Sequence, residues 1–499
     1  MTVAAIDAGT TGVRCSIIDL TGKVLGIGRE SWYYITPIDL EIAKEFDPEH
    51  FWHLTCKVIK KAIKTSGVKP SDILSVATTS QRHGCVFVNK EGKEVYCGPN
   101  IDARGAMTQY IIEEALGEKY HEITGCWPPL MFSPARLSWF EEEEPEIFES
   151  IAHILPLNDW ITYRLGNIFV TDSSAGSGTG FMDIRTSEWS DEVADAVGID
   201  TDILPEIQET GTVVGEVTAE AHKACGLPKG LPIAQGGADT HCALLASNTL
   251  PGEIVVVAGS TAPVMMIIDD LYCDPTQKIW TGCHMIPGQW VLESNATLTG
   301  AYLEWVVRLL CERANEPENC KRATLNNLDE ILEDIPPGSN ETFAALGPSI
   351  MDCQQITDIK QAKMVFPQPA LPQVIPLNSA RMIHAVLENI AYAVRGNCAQ
   401  LEAYRKASCF KTIGGMTQSR VWPDMLANVL GQPVNTPLQP EGSLLGAAVC
   451  AAKGADHYPK LMDAAKAMVQ WKPPSNPDYR ADLYKSYFSK WSTMFCEGE

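Results

Sequence analysis

One pattern occurs twice in this chain, and it limits the fold more than any other feature. Val3 to Ile6 is an apolar run ending in Asp7, and Ala8-Gly9-Thr10-Thr11-Gly12 follows. A second run, Val13 to Ile18, ends in Asp19. The spacing predicts two strands joined by a tight Gly/Thr turn. Residues 254–267 repeat the frame, with Ala258-Gly259-Ser260-Thr261-Ala262 in place of Ala8 to Gly12 and Val257 in place of Asp7. Such a turn can aim backbone N–H groups and hydroxyls at one anion, and Gly9 and Gly12 remove the Cβ atoms that would hold a phosphate off. Asp7 at the strand mouth could hold hydrated Mg2+ beside that phosphate. Either turn alone reads equally well as an ordinary hairpin. Together they predict a duplicated unit closing on a polyphosphate, with the metal on the N-terminal side.

Composition narrows the partners. The 499 residues suffice for two to four domains, and 45% hydrophobic with 20% charged residues is ordinary for a globular protein. A net charge of -23 and the lack of a basic patch argue against nucleic acid. No long uncharged apolar run predicts a membrane span, and no basic leader precedes the first strand. The sixteen cysteines are scattered without C-x-x-C spacing. They read as reduced, mostly buried cytoplasmic thiols, with no zinc or disulfide framework.

Along the chain, helical and strand patterns alternate as in α/β proteins. Asp47-Pro48 opens a helix that runs to about Thr65, and Ile73–Thr79 reads as a buried strand. Phe132–Glu144 and Ser379–Arg405 read as helices, and Asn158 as the cap of a short one. Residues 352–376 read as irregular. The boundary falls near Ser247 to Gly252, giving domains 1–248 and 249–499.

Several polar clusters follow strand patterns. Gln81, Arg82 and His83, with Asp102 and Arg104, could grip a polyhydroxylated molecule; alone, His83 reads more readily as a satisfied core histidine. Asp239 follows Gly236-Gly237-Ala238 at a strand-to-helix turn. There it could take a hydroxyl proton during phosphoryl transfer, or simply cap the helix from Thr240. Gly414-Gly415 ends another strand, and suits either a nucleoside passing close or a routine turn. No P-loop, no G-x-G-x-x-G after the first strand and no H-E-x-x-H is present, which disfavours P-loop ATPases, nicotinamide dehydrogenases and zincins.

In this order the pieces resemble the FGGY carbohydrate kinases over nearly the whole chain. Asp7 to Arg14 is similar to the family's first phosphate motif, Gly259-Ser260-Thr261 to its second, and Gly236 to Asp239 to the segment bearing its catalytic aspartate. Gly414 to Pro433 and Glu441 to Ala448 resemble its adenosine region. Met131 to Trp139 resembles its first signature, with Arg136 in place of the usual Lys. The resemblance implies an α/β protein of two ribonuclease-H-like domains around a cleft. The N-terminal domain would bind the sugar and the C-terminal one mainly ATP. Asp239 would be the base, Asp7 and Asp239 would serve the Mg2+, and Gly9, Thr10, Thr11, Arg14, Gly259, Ser260, Thr261, Gly414, Gly415 and Ser419 would meet ATP. The resemblance also admits a homodimer.

The phosphoryl acceptor is a small sugar or polyol on this reading. His83-Gly84 is similar to a xylulokinase segment, while Asn100 to Arg104 and His284 to Gly288 resemble the autoinducer-2 kinases. A small open-chain acceptor is expected, either a ketopentose such as xylulose or the linear autoinducer-2 precursor, with glycerol or erythritol behind them. A rival from another class is a nucleotide-gated binding protein like actin, which would leave the cluster at Gln81 to His83 and the placement of Asp239 unexplained.

Overall fold

The computed structural model describes residues 1–37, 40–314, 316–355, 361–368 and 377–495. Part of the irregular stretch expected over 352–376 lies outside them.

The first hairpin forms as its pattern requires. β1 (Thr2–Gly9) pairs antiparallel with β2 (Gly12–Asp19), Gly9 opposite Gly12, and β2 pairs with β3 (Val24–Ser31). The helix α1 (Pro48–Ser66) starts where Asp47 accepts from the His50 N–H at 2.9 Å, and it stops at Gly67 in the left-handed conformation. β4 (Ile73–Ser80) then joins β1 in parallel. The strand Pro232–Ala238 adds in parallel to β4, and Val213–Glu216 closes that edge. One face of this sheet buries Ile6, Val13, Phe51, Val58 and Trp160 together. A small three-stranded sheet centred on Cys85–Asn89 carries its own core of Phe87, Tyr96, Trp139 and Phe140.

A second sheet repeats the plan. Glu253–Val257 and Thr261–Ile268 form the antiparallel hairpin, Trp290–Leu298 flanks it, and Cys409–Ile413 joins Glu253–Val257 in parallel. The two sheets are the cores of two compact units of α/β structure.

The units are not consecutive halves. The first comprises residues 1–249, 268–291 and 441–470; the second comprises 250–267, 292–440 and 471–499. The helix Gly442–Gly454, whose first residues resemble an adenosine-binding segment, therefore belongs to the first unit, against β1, β4 and the helix Asp239–Ala246. Its small residues allow this: a Cβ on Gly446 would lie 2.0 Å from the Cys242 carbonyl oxygen. Gly446→Ala is expected to destabilise the first unit by about 1–3 kcal/mol, read as an earlier unfolding transition in denaturant.

Two local expectations are corrected. Asn158 does not cap its helix, which runs Leu157–Gly166 with Pro156 at the cap; its Nδ2 donates to Asp159 Oδ1 at 2.7 Å. Thirteen described cysteines are free thiols, but Cys311 and Cys320 form a disulfide, brought together by the helices Gly300–Cys311 and Pro317–Asn326.

Candidate active site

Parallel pairing lines up three strand ends. Asp7 lies opposite Thr79, Ala8 opposite Ser80, and Ser80 opposite Ala238. Three motifs far apart in sequence thus meet at the carboxyl edge of one sheet, where open α/β sheets bind their ligands.

Asp7 is 1% exposed. Its Oδ2 accepts from Arg14 Nη2 and, at 2.6 Å, from the Ser443 hydroxyl, while its Oδ1 has no partner among the described residues. Arg14 also donates to Glu441, which takes a second cation, Arg29, at 2.7 Å. The neighbouring Asp7, working against the cost of burial, raises the pKa of Arg14. Sequence reading missed Glu441 and Ser443 as partners here, because only the return of residues 441–470 to the first unit brings them close.

Asp239 is the first residue of its helix rather than its cap, and its Oδ1 accepts from the next backbone N–H, Thr240, at 2.7 Å. Burial, and then the nearby Asp7 carboxylate, push its pKa up to about 7, while Arg82 and Arg14 oppose them. A carboxylate so tuned is a competent base near neutral pH.

Beside it lies a pocket lined by Gln81, Arg82, His83, Ser133, Asn158, Thr179 and Ala238, among others. Gln81 ties this wall to the first turn: its Nε2 donates to Tyr34 Oη at 3.1 Å, and its Oε1 accepts from the Asn100 N–H at 3.1 Å. Tyr34 in turn donates to the Thr10 carbonyl at 2.6 Å. His83 has a φ of +63°, unusual for a residue other than glycine. Its Nδ1 lies 3.0 Å from the Gly178 carbonyl oxygen, and its ring stands edge-on to Phe132 and Trp280. Burial, then Arg82, lower its pKa to about 3, so the ring is neutral at physiological pH. Facing a carbonyl, Nδ1 carries the proton, which leaves Nε2 as a hydrogen-bond acceptor.

Asp102 and Arg104 stand apart from this lining. Arg104 Nε donates to Asp102 at 2.8 Å, and its Nη2 donates to Glu45 at 2.6 Å. Its guanidinium also lies over the rings of Tyr96, Trp139 and Phe140. Asp102 takes further bonds from Tyr96 and the Lys44 N–H, and both residues are 1% exposed. Their charges serve each other and the fold rather than an open cavity.

The second unit gathers its own turn. The Gly259 N–H donates to the Thr261 carbonyl at 2.9 Å, and the Thr299 N–H to the Ser260 carbonyl at 2.9 Å. The Met416 N–H bonds Ala258, which seats Gly414-Gly415 on this turn. Gly414 has a φ of +116°, and a Cβ there would lie 2.5 Å from the Ala258 oxygen, so only glycine fits. A Cβ on Gly415 would meet nothing within 4 Å. Ser419 is already engaged: its hydroxyl donates to Asp329 at 2.6 Å.

Fold and site together define an ATP-dependent sugar kinase, built from two ribonuclease-H-like units, with a buried aspartate beside a pocket in the first. The chain belongs to the FGGY family of carbohydrate kinases: the family's N-terminal domain matches residues 2–246 and its C-terminal domain residues 254–455. It is similar to the autoinducer-2 kinase of Escherichia coli K12, with 28% identity over 98% of this chain and 93% of that one. The Yersinia enterocolitica autoinducer-2 kinase is 29% identical over 99% of this chain and 94% of that one. Among solved structures, the xylulose kinase from Rhodospirillum rubrum aligns at a TM-score of 0.82 with 24% identity, covering 100% of this chain and 99% of that one. The Plasmodium falciparum glycerol kinase with ADP aligns at 0.80 with 16% identity, covering 99% and 97%. The actin-like binding protein is not favoured. No helix among the described residues is long and apolar enough to cross a membrane.

Proposed function

We propose that this kinase phosphorylates a terminal hydroxyl of a small open-chain sugar, either a ketopentose such as D-xylulose or the linear autoinducer-2 precursor. The observation that carries this reading is the juxtaposition of Asp239, its pKa near 7, with the pocket wall of Gln81, Arg82 and His83. The side chains of Gln81, Arg82, His83, Ser133 and Asn158 in that lining offer the donors and acceptors that a short polyhydroxylated chain needs. The curated relatives are autoinducer-2 kinases, and structural neighbours include xylulose kinases.

In this mechanism Gln81, Arg82 and His83 orient the sugar so that its terminal hydroxyl faces Asp239. Asp239 takes the hydroxyl proton as the oxygen bonds the γ-phosphorus of ATP. The bond from that phosphorus to the bridging oxygen breaks, and ADP leaves. In the first unit Gly9, Thr10, Thr11 and Arg14 are the residues proposed to meet ATP; in the second they are Gly259, Ser260, Thr261, Gly414 and Gly415. Ser419 would contribute by bracing the Gly414 loop. Asp7 fits a hydrated Mg2+, because one buried carboxylate oxygen has no partner among the described residues and this ion binds through one or two carboxylates and the phosphates. When bound, the ion neutralises charge on the transferring phosphoryl group. Asp102 and Arg104 would support the sugar site only from the buried cluster in which they pair with each other, Glu45 and Tyr96. The many free thiols suit a reducing compartment, the cytoplasm.

The test is ADP release with Mg-ATP across xylulose, ribulose, rhamnulose, fuculose, glycerol, erythritol and the autoinducer-2 precursor. One of the two proposed acceptors should exceed the rest in kcat/KM. Preference for glycerol or erythritol would overturn the assignment.

A further inference from the structure

Arg136 lies in the helix Ser133–Glu143 and is 0% exposed. A buried guanidinium normally meets a carboxylate. Here Nη1 donates to the His83 carbonyl oxygen at 2.7 Å and touches Cys85 Sγ at 3.6 Å. Nε and Nη2 have no partner among the described residues. Its one oxygen partner among the described residues is thus a carbonyl, that of a non-glycine residue held at a φ of +63°. A strained conformation of this kind persists only where its surroundings over-determine it. Three restraints do so: Arg136 on the carbonyl, Gly178 on Nδ1, and Phe132 with Trp280 against the ring.

We propose that Arg136 is a positioning residue for sugar selection, which holds the His83 backbone in its left-handed conformation so that the ring presents Nε2 to the pocket. The inference rests on the proposed sugar contact of His83 and deepens it. It makes the His83 partner a hydroxyl that donates, since Nε2 carries no proton to give a carbonyl. Arg136 itself touches neither sugar nor nucleotide.

The experiment is a double-mutant cycle on the full-length enzyme with the preferred sugar. Arg136→Met should raise the sugar KM by about 10–100-fold, the scale on which small misplacements act. The KM for Mg-ATP should stay within about twofold, since the nucleotide turns do not involve this residue. Arg136→Lys keeps the charge and one donor and should recover part of the loss; it also serves if the Met variant folds poorly. His83→Asn tolerates the left-handed backbone but lacks the ring, and in that background Arg136→Met should add little. Additive effects, or parallel rises in both KM values, would show a general packing role and overturn the inference. A His83→Asn enzyme with unchanged sugar KM would also overturn it, yet would leave phosphoryl transfer by Asp239 standing, because that is read separately in kcat of Asp239→Asn.

Discussion

Asp239→Asn should turn over about 10²–10⁴-fold more slowly than the parent enzyme while still binding sugar and ATP, the loss typical of a missing general base. Two pH signatures accompany it. In the parent, the rate should rise with pH through about 7, because only the ionised carboxylate can take a proton. The second signature needs no substrate. The folded-state pKa lies above the ordinary carboxylate value, so between the two the folded protein binds more protons than the unfolded chain. This group's contribution to stability therefore falls as pH rises across that window. Asparagine cannot ionise, so the ligand-free variant should melt higher than the parent at pH 8, and the gap should close towards pH 4. A folded Asp239→Asn enzyme with near-parental kcat would remove Asp239 from the role of base.

The second large effect is expected at Asp7. Asp7→Asn keeps the shape but removes the charge that Arg14 and Ser443 contact and to which the proposed function assigns the metal. A loss of about 10²–10³-fold in kcat/KM for Mg-ATP is expected, the scale for one preorganised electrostatic group. The needed Mg2+ concentration should rise, and Mg-ATP titrated calorimetrically should bind more weakly. Asp7 is also, after burial, the largest influence raising the Asp239 pKa. Its neutralisation should move the acid limb of the rate profile to lower pH. An unmoved limb would mean that the two carboxylates do not sense each other, and an unchanged Mg2+ requirement would detach Asp7 from the metal.

Much of this site is legible in the sequence because strand ends are legible. Apolar runs that give way to Gly9-Thr10-Thr11-Gly12, to Gln81-Arg82-His83 and to Asp239 mark where β1, β4 and Pro232–Ala238 stop, and the candidate site residues follow such stops. What the sequence does not reveal is which polar side chains are already satisfied. Asp102 and Arg104 follow a strand much as Gln81 to His83 do, yet Glu45 and the Lys44 N–H, from a distant loop, consume their hydrogen-bonding capacity. Ser419 meets Asp329 in the same way. Arg136 shows the converse. It sits in an apolar helical pattern that looks structural, and its single carbonyl partner becomes visible only once His83 is known to have a positive φ. The position of residues 441–470 was hidden for a related reason: a small-residue helix shows that something packs tightly against it, but not which sheet.

That helix has a consequence for how the protein is made. During synthesis, β1, β4 and Asp239 leave the ribosome long before Gly442–Gly454, yet this late segment covers the first sheet and supplies Ser443 to Asp7. The nascent first unit must therefore wait, its sheet face uncovered, while nearly two hundred intervening residues (250–440) are translated. Asp7 and Asp239 acquire their finished surroundings only near the end of translation, so a stalled or truncated chain carries both aspartates without the site around them.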